Sequence, residues 1–445
     1  KIEFYIFLGR KMLIEFRVEN FLSIQDEQVL SMVASSDNTF LNSHISNYGK
    51  LKLLKSSVLY GANASGKSNI IKALKTMKTI VISSAKKQRG DKLPIIPFLL
   101  GDEDNKPTKF EIIFIQNDTK YQYGFILNSE KILEEWLLVF GESNRAQKWF
   151  ERIYNEKEEK YNYSFGAKFL GSKQLWAENT RDNALFLSVA IQLNNEQLKP
   201  VFDFFNLKLQ IANSQGWDNG INITINEYEK NKELINNFFK IADLDIEGVE
   251  IKTSDIDENS LPPDIQILPQ EIKEKIIKEV KNIRELKNAK ILEDISFMHL
   301  SQNNQIKFLN FKDESDGTQK FFNLIGIWIK SLKRGNILII DELNTHLHPL
   351  MTKFLVNLFH NENLNKSNAQ LIFTTHDTSI LNQDVFRRDQ IWFCEKQNKA
   401  TKLYPLSDFK VRKDKTNLEN DYLLGRFGAL PYFKEILSFW SDNGN

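Results

Sequence analysis

Apolar residues in the N-terminal part of the chain recur mostly with the spacing of strands, interrupted by one helical segment. Apolar and polar positions partly alternate at the start, and a short apolar run before a glycine indicates a buried strand. Two later strand-like runs are separated by the turn-prone residues Gln116–Thr119, which predicts a hairpin. The predicted elements are an edge strand over Met12–Asn20, a buried strand over Ser57–Tyr60, a helix over Asn69–Ile80, and paired strands over Phe110–Ile115 and Lys120–Leu127.

The pattern changes in the middle of the chain. Strand-like character continues to about residue 165, and apolar residues then take helical spacing over about 183–205. Residues 225–290 are polar, charged and helix-prone. Within them, Ile272–Leu286 predicts an amphipathic helix of about four turns, which is too short for a coiled-coil arm. From Ile291 to Phe393, strand and helix patterns alternate.

Composition excludes several classes of protein. The 445 residues include 59 Lys and Arg against 58 Asp and Glu, so any nucleic-acid contact would need a local basic patch. A single cysteine, Cys394, excludes a disulfide framework and a Cys-based zinc site, and it fits a reducing cytoplasm. No apolar run approaches the ~20 residues that span a bilayer, so we expect a cytoplasmic protein without a membrane partner. We exclude Lys1–Lys11 from the fold prediction and expect Met12 to be the natural start.

A glycine-rich segment, Gly61–Ser68, lies between the predicted buried strand and the predicted helix and has the form Gly-x4-Gly-Lys-Ser. Glycines allow such a loop to wrap so that backbone N–H groups face phosphate oxygens, while Lys67 contacts the outer phosphates and the Ser68 hydroxyl binds Mg²⁺. The segment therefore predicts a nucleotide site with Mg²⁺. The predicted binding residues are Gly61, Asn63, Ala64, Ser65, Gly66, Lys67, Ser68 and Asn69.

Polar residues with catalytic potential follow two later apolar strands. Ile337–Ile340 precedes Asp341, a carboxylate that can hold Mg²⁺ directly or through water. Glu342 follows and can accept a proton from an attacking water. A second apolar run beginning at Leu371 leads to His376, whose imidazole could contact the γ-phosphate and orient that water. A lone histidine is more often structural, but its place after a strand next to the Asp341–Glu342 strand favours a catalytic role.

Two further motifs admit two interpretations each. Ser315 and Gly317 stand at the start of an apolar helix, where a hydroxyl, backbone amides and the helix dipole can form an anion site. A plain N-cap explains the same residues, and the sequence leaves both interpretations open. His346 and His348 form a His-x-His pair, but no third ligand or acidic cluster accompanies them. We therefore favour a loop leading into a helix with Pro349 in its first turn.

Taken in order, these elements resemble the ABC-type ATPases of the SMC/RecF class. The correspondence comprises Walker A at Gly61–Ser68, the signature motif at Glu314–Thr318, Walker B at Ile337–Glu342, the D-loop at Asn344–Pro349 and the H-loop histidine at His376. The opening Val18–Ile24 also looks like the N-terminal strand and turn of that class. Two positions depart from it: Leu22 stands where many members have Arg, which removes a phosphate contact, and Asp316 replaces the first Gly of the signature.

The resemblance implies an α/β fold, an ABC-type (SMC/RecF-like) P-loop ATPase head with an antiparallel β subdomain and a helical insertion. We expect residues 12–140 to form an N-terminal ATPase lobe with Walker A and the β subdomain. Residues 141–300 would form a helical insertion region, and residues 301–445 a C-terminal lobe with the remaining motifs. The resemblance also implies that ATP is bound with Mg²⁺, held by Ser68 and Asp341, and hydrolysed with Lys67, Glu342 and His376 as catalytic residues.

In ABC-type heads, the ATP on one subunit's Walker A is covered by the signature motif of another subunit. Ser315 and Gly317 are therefore expected to act in trans, in a homo-oligomer of at least two subunits. A monomer should hydrolyse ATP poorly, because helix-terminal N–H groups reach the γ-phosphate only in the oligomer.

More closely, the chain resembles the short, stand-alone AAA_15/AAA_21-type bacterial ATPases. The segments that support this resemblance are Asn183–Ser188 and Tyr422–Pro431. Members of that group frequently belong to phage-defence operons of the PARIS, Septu, abortive-infection and retron types. There the ATPase works with a separately encoded effector, so we expect a sensor or scaffold whose partner is a nuclease. The metal site of a TOPRIM nuclease needs an Asp-x-Asp motif, and none follows His376. We therefore do not expect a TOPRIM nuclease in this part of the sequence.

The alternative is a RecF/SMC-like DNA-binding ATPase in DNA repair. Nucleic acid would then contact basic residues such as Lys72 and Lys75, or the stretch Lys273–Lys290. Charge runs are more often solvated helix faces, so the defence role is favoured. A transporter ATPase subunit is disfavoured by the large insertion and the N-terminal strand and turn.

Overall fold

The computed structural model describes residues 9–101, 106–141, 144–212, 216–217, 219–242, 245–255, 263–282, 290–410 and 417–431. The chain divides into two compact units. The first comprises Lys1–Trp217 and Lys330–Asn445, and the second comprises Asp218–Ile329. Within the described ranges, no helix is both long enough and apolar enough to cross a membrane.

Strands predominate in the first half of the chain, and helices become frequent later. The strands are β1 Lys11–Glu19, β2 Gln28–Ser31, β3 Ile45–Tyr48, β4 Leu51–Leu54, β5 Ser56–Gly61, β6 Thr108–Gln116, β7 Thr119–Leu127, β8 Ile132–Phe140, β9 Ala146–Asn155, β10 Lys160–Phe165, β11 Leu209–Ala212, β12 Gly248–Asp255, β13 Lys290–Leu300, β14 Ile306–Asn310, β15 Ile337–Ile340, β16 Gln370–Thr374, β17 Ile391–Gln397 and β18 Ala400–Pro405. The helices are α1 Lys67–Ser83, α2 Lys173–Glu178, α3 Phe186–Gln192, α4 Lys199–Asp203, α5 Gly220–Lys230, α6 Lys232–Ile241, α7 Pro263–Gln266, α8 Gln270–Asn282, α9 Asp316–Arg334, α10 Pro349–His360 and α11 Leu418–Leu423.

An antiparallel sheet forms the β subdomain of the first unit, with strand order β10-β9-β8-β7-β6-β1-β2. The predicted hairpin is β6–β7, and its turn residues Asn117 and Asp118 have φ angles of 52° and 57°, as a tight hairpin turn requires. The prediction that the first strand lies at the edge is wrong, because β2 pairs along its outer side. The four residues of β2 are too few for the hydrophobic pattern to reveal a strand.

A buried ion pair fixes the segment Asn183–Ser188 against this sheet. Glu135 on β8 accepts hydrogen bonds from the first two N–H groups of α3, at 2.6 and 3.0 Å. Arg152 on β9 donates to the carbonyl oxygen of Ala184 at 2.7 Å. Burial raises the pKa of Glu135, and the neighbouring guanidinium opposes that shift. The segment Asn183–Ser188 is thus held in place by charged side chains from two strands of the sheet, β8 and β9.

The second sheet of this unit positions the candidate site. Its order is β11-β15-β16-β5-β17-β18, and every neighbouring pair is parallel except β17 with β18. Strands β5, β15 and β16 are buried at every residue, as strands covered on both faces are. Carboxyl ends of parallel strands meet at one edge, so the residues after Gly61, Ile340 and Thr374 are brought together. The predicted α/β class with an antiparallel β subdomain is confirmed.

The second unit combines helices α5–α8 with an antiparallel sheet in the order β12-β13-β14. Strand β12 lies in a stretch for which the pattern predicted helices, and it is stabilised by pairing with β13, which is distant in sequence. The predicted amphipathic helix is present as α8, while Ile283–Leu286 of its predicted range lies outside the described residues. Phe239 packs edge-on against Phe297 and Phe321 in the core of this unit.

Candidate functional site

The loop between β5 and α1 packs closely against strands β17 and β18. Gly61 has a φ of 153°, and a Cβ atom there would overlap with the carbonyl oxygen of Cys394. Gly66 has a φ of 109°, and a Cβ atom there would overlap with the side chain of Thr401. Both glycines of the motif are therefore required by the packing of the loop as well as by its backbone conformation. Ala64 at the exposed tip also has a left-handed φ of 61°.

Lys67 is the first residue of α1 and its side chain turns back over the loop. Its ammonium donates hydrogen bonds to the carbonyl oxygens of Gly61 at 2.7 Å and Ala62 at 3.0 Å. The residue is 5% exposed. Burial lowers the pKa of Lys67, while the nearby charges of Asp341 and Glu342 oppose that shift. The ammonium therefore lies within electrostatic reach of both predicted catalytic carboxylates.

A network of side-chain hydrogen bonds connects the loop to the N-terminal turn and to β18. Asn69 on α1 donates to Oγ of Ser23 at 2.7 Å, and that oxygen lies 2.7 Å from Oγ1 of Thr401. Thr401 in turn donates to the carbonyl oxygen of Ser65 at 2.8 Å. The side chain of Asn69, predicted to bind nucleotide, is thus bonded to the N-terminal turn. Of the other predicted loop residues, Asn63 is exposed and Ser68 is half-buried.

The two acidic residues after β15 share one hydrogen-bonding partner. The hydroxyl of Thr374, at the end of β16, donates to Oδ1 of Asp341 at 2.7 Å and accepts from the N–H of Glu342 at 2.7 Å. Glu342 has a φ of 54°, in the left-handed region. Its carboxylate is about two-fifths exposed, and Thr345 contributes a longer hydrogen bond of 3.4 Å to it. The carboxylate therefore remains accessible to solvent.

His376 faces the same carboxylate. Its Nε2 lies 3.9 Å from Oε1 of Glu342. Burial lowers the pKa of His376, the ammonium of Lys67 lowers it further, and Glu342 and Asp341 act in the opposite direction. The charges of Lys67, Asp341 and Glu342 therefore all act on the imidazole of His376.

The segment after Glu342 is tied to the segment around His376. Oγ1 of Thr375 donates to Oδ1 of Asn344 at 2.9 Å and accepts from the N–H of Asp377 at 3.0 Å. The predicted D-loop and H-loop are therefore joined through one hydroxyl. His348, from the His-x-His pair, accepts from the N–H of Leu350 at 3.3 Å and begins α10, the structural role that the sequence favoured.

Ser315 and Gly317 belong to the second unit. Oγ of Ser315 accepts from the N–H of Thr318 at 3.1 Å and lies 3.0 Å from its hydroxyl, so it caps the start of α9. Gly317 lies in the first turn of that helix. Just before the cap, Oε1 of Glu314 accepts a 2.6 Å hydrogen bond from Nε2 of His299. The N-cap interpretation is thus observed, and the anion site at Ser315 and Gly317 stays a prediction.

Sequence reasoning missed three threonines at the site. Thr374 and Thr375 directly precede His376, and a pair of hydroxyl residues at the end of an otherwise apolar strand was the available signal. Thr401 carried no signal, because its contact with Gly66 arises from the pairing of β18 with β17.

Comparison with known proteins gives one family match. The family model AAA_21, described as "AAA domain, putative AbiEii toxin, Type IV TA system", matches residues 56–382, which is well over half of the chain. The matched range begins with β5 and includes Lys67, Asp341, Glu342 and His376. No curated protein matches the chain.

Several solved structures are similar over most of their length. The SMC head domain from Thermotoga maritima has 11% sequence identity and a TM-score of 0.39, covering 90% of this chain and 99% of its own. The recombination mediator protein RecF in its ATPrS form has 15% identity and a TM-score of 0.36, with 89% and 99% covered. Its ATP form has 16% identity and a TM-score of 0.36, with 90% and 99% covered.

Proposed function

Since the chain belongs to the AAA_21 family, we propose that it is an ABC-type ATPase that binds ATP with Mg²⁺ between two subunits and hydrolyses it. The observation that carries this proposal is the meeting of Lys67, Asp341, Glu342 and His376 at one edge of the parallel sheet. One cation, two carboxylates and an imidazole beside a helix N-terminus provide the positioning and charge stabilisation that phosphoryl transfer requires.

ATP binding would use the loop between β5 and α1. The N–H groups at the start of α1 and the dipole of that helix attract phosphate oxygens. Lys67 exchanges its two carbonyl partners for phosphate oxygens, and a hydrogen bond between two charged groups is stronger than one to a neutral carbonyl. The conformation seen here therefore holds the ammonium close to where a phosphate would lie.

Hydrolysis would use the residues after β15 and β16. Glu342 is exposed enough to contact a water and accept its proton, and His376 can hydrogen-bond the γ-phosphate or that water. The hydroxyl of Ser68 and the carboxylate of Asp341 are oxygen donors of the type that Mg²⁺ prefers, so they fit as its ligands. Bound Mg²⁺ would neutralise the charge that develops on the phosphates.

A second subunit would complete the site with Ser315 and Gly317. Ser315 accepts from one N–H of the first turn of α9, and the other N–H groups of that turn, together with the helix dipole, are the groups that would face an anion. Placed on the γ-phosphate of the other subunit, these groups would stabilise the transition state. ATP binding would then close the interface between subunits, and hydrolysis would open it.

A mixing experiment tests this composite site. Lys67→Ala removes the phosphate contact, whereas Ser315→Asp keeps a good N-cap residue and adds a charge that repels the γ-phosphate. Each variant alone should be inactive, and mixing the two should restore activity, because a mixed dimer contains one site with both groups intact. If the mixture stays inactive, or if Ser315→Asp alone hydrolyses ATP like the wild type, the shared site is refuted.

The biological role that we propose is control of a separately encoded effector, a nuclease, in antiphage defence. Support comes from the family description, which names a putative toxin of a Type IV TA system. The test is to co-express the chain with the product of the adjacent gene and purify one through a tag on the other. An adjacent gene that encodes no effector, together with a chain that stays monomeric with ATP, would contradict this role.

A second candidate role is DNA binding in repair, and one surface favours it. A groove of about 380 Å³ beside α1 is lined by Lys72 and Lys75 as well as by Phe21 and Ile96. Exposed lysines next to such a groove could contact a phosphate backbone. DNA titrations at several salt concentrations separate the two roles, since absence of binding at micromolar protein would eliminate the repair role.

A further inference from the structure

The carboxylates after β15 depend on a side chain from the neighbouring strand. The hydroxyl of Thr374 uses its hydrogen for Oδ1 of Asp341 and a lone pair for the N–H of Glu342, both at 2.7 Å. Thr374 itself is completely buried. Its backbone carbonyl oxygen also accepts from the N–H of Leu343 at 3.1 Å. One residue of β16 therefore bonds to three consecutive residues of the adjacent strand and loop.

These bonds matter because Glu342 has an unfavourable backbone conformation. A residue with a Cβ atom rarely adopts a left-handed φ such as the 54° found here, and surrounding contacts must maintain it. The N–H of Glu342 is fixed by Thr374, and its carbonyl oxygen accepts from the N–H of Thr345 at 3.1 Å. The direction in which the Glu342 side chain leaves the loop is set by this conformation.

We propose that Thr374 is a positioning residue that aims the carboxylate of Glu342 at the attacking water. This inference rests on the proposed function, in which Glu342 is the general base. Thr374 does not touch the reacting atoms. It holds the backbone of Glu342 and donates to Oδ1 of Asp341, a carboxylate that would serve as a ligand of Mg²⁺ in the proposed function.

In this proposal, Thr374 positions Glu342 through its hydroxyl group and not through the volume of its side chain. Valine has nearly the same shape and lacks the hydroxyl, whereas serine keeps the hydroxyl and lacks the methyl group. Thr374→Val leaves the N–H of Glu342 without its partner and releases the left-handed turn. A general base displaced by about 1 Å can slow a reaction by roughly a hundredfold.

The experiment measures ATP affinity and steady-state kinetics for the full chain with Mg²⁺. Thr374→Val is expected to lower kcat by about 10- to 100-fold and to change the Kd for ATP by less than about threefold. Thr374→Ser is expected to keep kcat within about fivefold of the wild type. The matched control is Thr352→Val, since Thr352 is also completely buried and its Oγ1 has no hydrogen-bonding partner among the residues that the structure describes.

A double variant separates positioning from general loosening of the fold. In the Glu342→Gln background, Thr374→Val should cause little further loss, because it acts through the residue already disabled. If the two losses multiply, or if Thr374→Ser is as slow as Thr374→Val, the positioning role is overturned.

The proposed function and this inference fail in different ways. Failure of Glu342→Gln to slow turnover would remove the general base itself. If Glu342→Gln blocks turnover while Thr374→Val behaves like the wild type, only the positioning role of Thr374 is wrong. Thermal unfolding of each variant reports whether Thr374→Val has lost more stability than Thr352→Val.

Discussion

The carboxylate of Glu342 and the imidazole of His376 lie 3.9 Å apart at the ends of neighbouring parallel strands, β15 and β16. Both side chains are about two-fifths exposed, so a water can reach the space between them. The ammonium of Lys67, at the start of the helix α1 that follows a third strand, β5, also acts on the pKa of His376. In the proposed function, this arrangement would connect nucleotide binding to the chemistry at the γ-phosphate.

Lys67→Ala is expected to abolish ATP binding at micromolar concentrations. The ammonium is the buried cation of the loop, and removal of its charged hydrogen bonds should weaken affinity by about a hundredfold or more. Titration with a fluorescent ATP analogue measures this. Lys72→Ala on the same helix is the control, because that lysine is exposed and should leave affinity unchanged.

Glu342→Gln is expected to bind ATP, to lose turnover and to accumulate the closed oligomer. The amide is nearly isosteric with the carboxylate but cannot accept the proton of the water, and loss of a general base typically lowers kcat by about 10²- to 10⁴-fold. Single-turnover hydrolysis and light scattering with ATP measure the two effects. Turnover equal to that of the wild type would show that Glu342 is not the base.

Gly66→Ala is expected to disrupt the loop. The added Cβ atom would overlap with Thr401 and would force a non-glycine residue to a φ of 109°, at a cost of roughly 1–3 kcal/mol for the backbone alone. We expect loss of ATP binding and a lower Tm. Gly49→Ala is the matched control, since Gly49 also has a left-handed φ of 57° but nothing lies within 4 Å of its added Cβ.

Stability is expected to fall below pH 6.5 because of two stacked histidines. The rings of His44 and His360 lie 3.7 Å apart. Burial lowers the pKa of His44 to about 4, with Arg387 and Lys55 adding to the shift, and burial likewise lowers the pKa of His360. The folded state therefore binds fewer protons than the unfolded state between pH 6.5 and 4, and stability is lost as the pH falls through that window.

The size of this effect can be measured by urea unfolding between pH 7 and 4.5. A shift of the His44 pKa from about 6.5 to about 4 predicts a loss of about 2 kcal/mol by pH 5 from this residue. His44→Gln keeps a donor for the carbonyl oxygen of Val385 and cannot titrate, so it should flatten the pH profile. A variant profile as steep as that of the wild type would exclude His44 as the cause.

Arg152→Met is expected to destabilise the first unit by about 3–5 kcal/mol, because it leaves the buried carboxylate of Glu135 without its cation. It also removes the bond to the carbonyl oxygen of Ala184. Chemical denaturation measures the change. Lys148→Met is the control on the same strand, since its pair with Glu151 is exposed and should contribute less than about 1 kcal/mol.

The sequence by itself determined the parts of this protein whose chemistry lies in contiguous residues. The loop Gly61–Ser68, the acidic pair after β15 and the helix cap at Ser315 could be predicted because each depends on spacing within a few positions. The strands β5, β15 and β16 could be predicted because each contains a short continuous apolar run, Val58–Tyr60, Ile337–Ile340 and Leu371–Phe373, as buried parallel strands do.

Only the tertiary structure decided which of these segments meet. The sequence favoured a strand before His376 that lies next to the Asp341–Glu342 strand, but pairing of strands distant in sequence leaves no local pattern that predicts the full order of the sheet or the 3.9 Å between His376 and Glu342. The same reason explains why Thr374 and Thr401 escaped notice and why β1 was wrongly placed at the edge. A hydroxyl group can hold another residue in place only when a neighbouring strand brings a partner within hydrogen-bonding distance, and the folded sheet sets that distance.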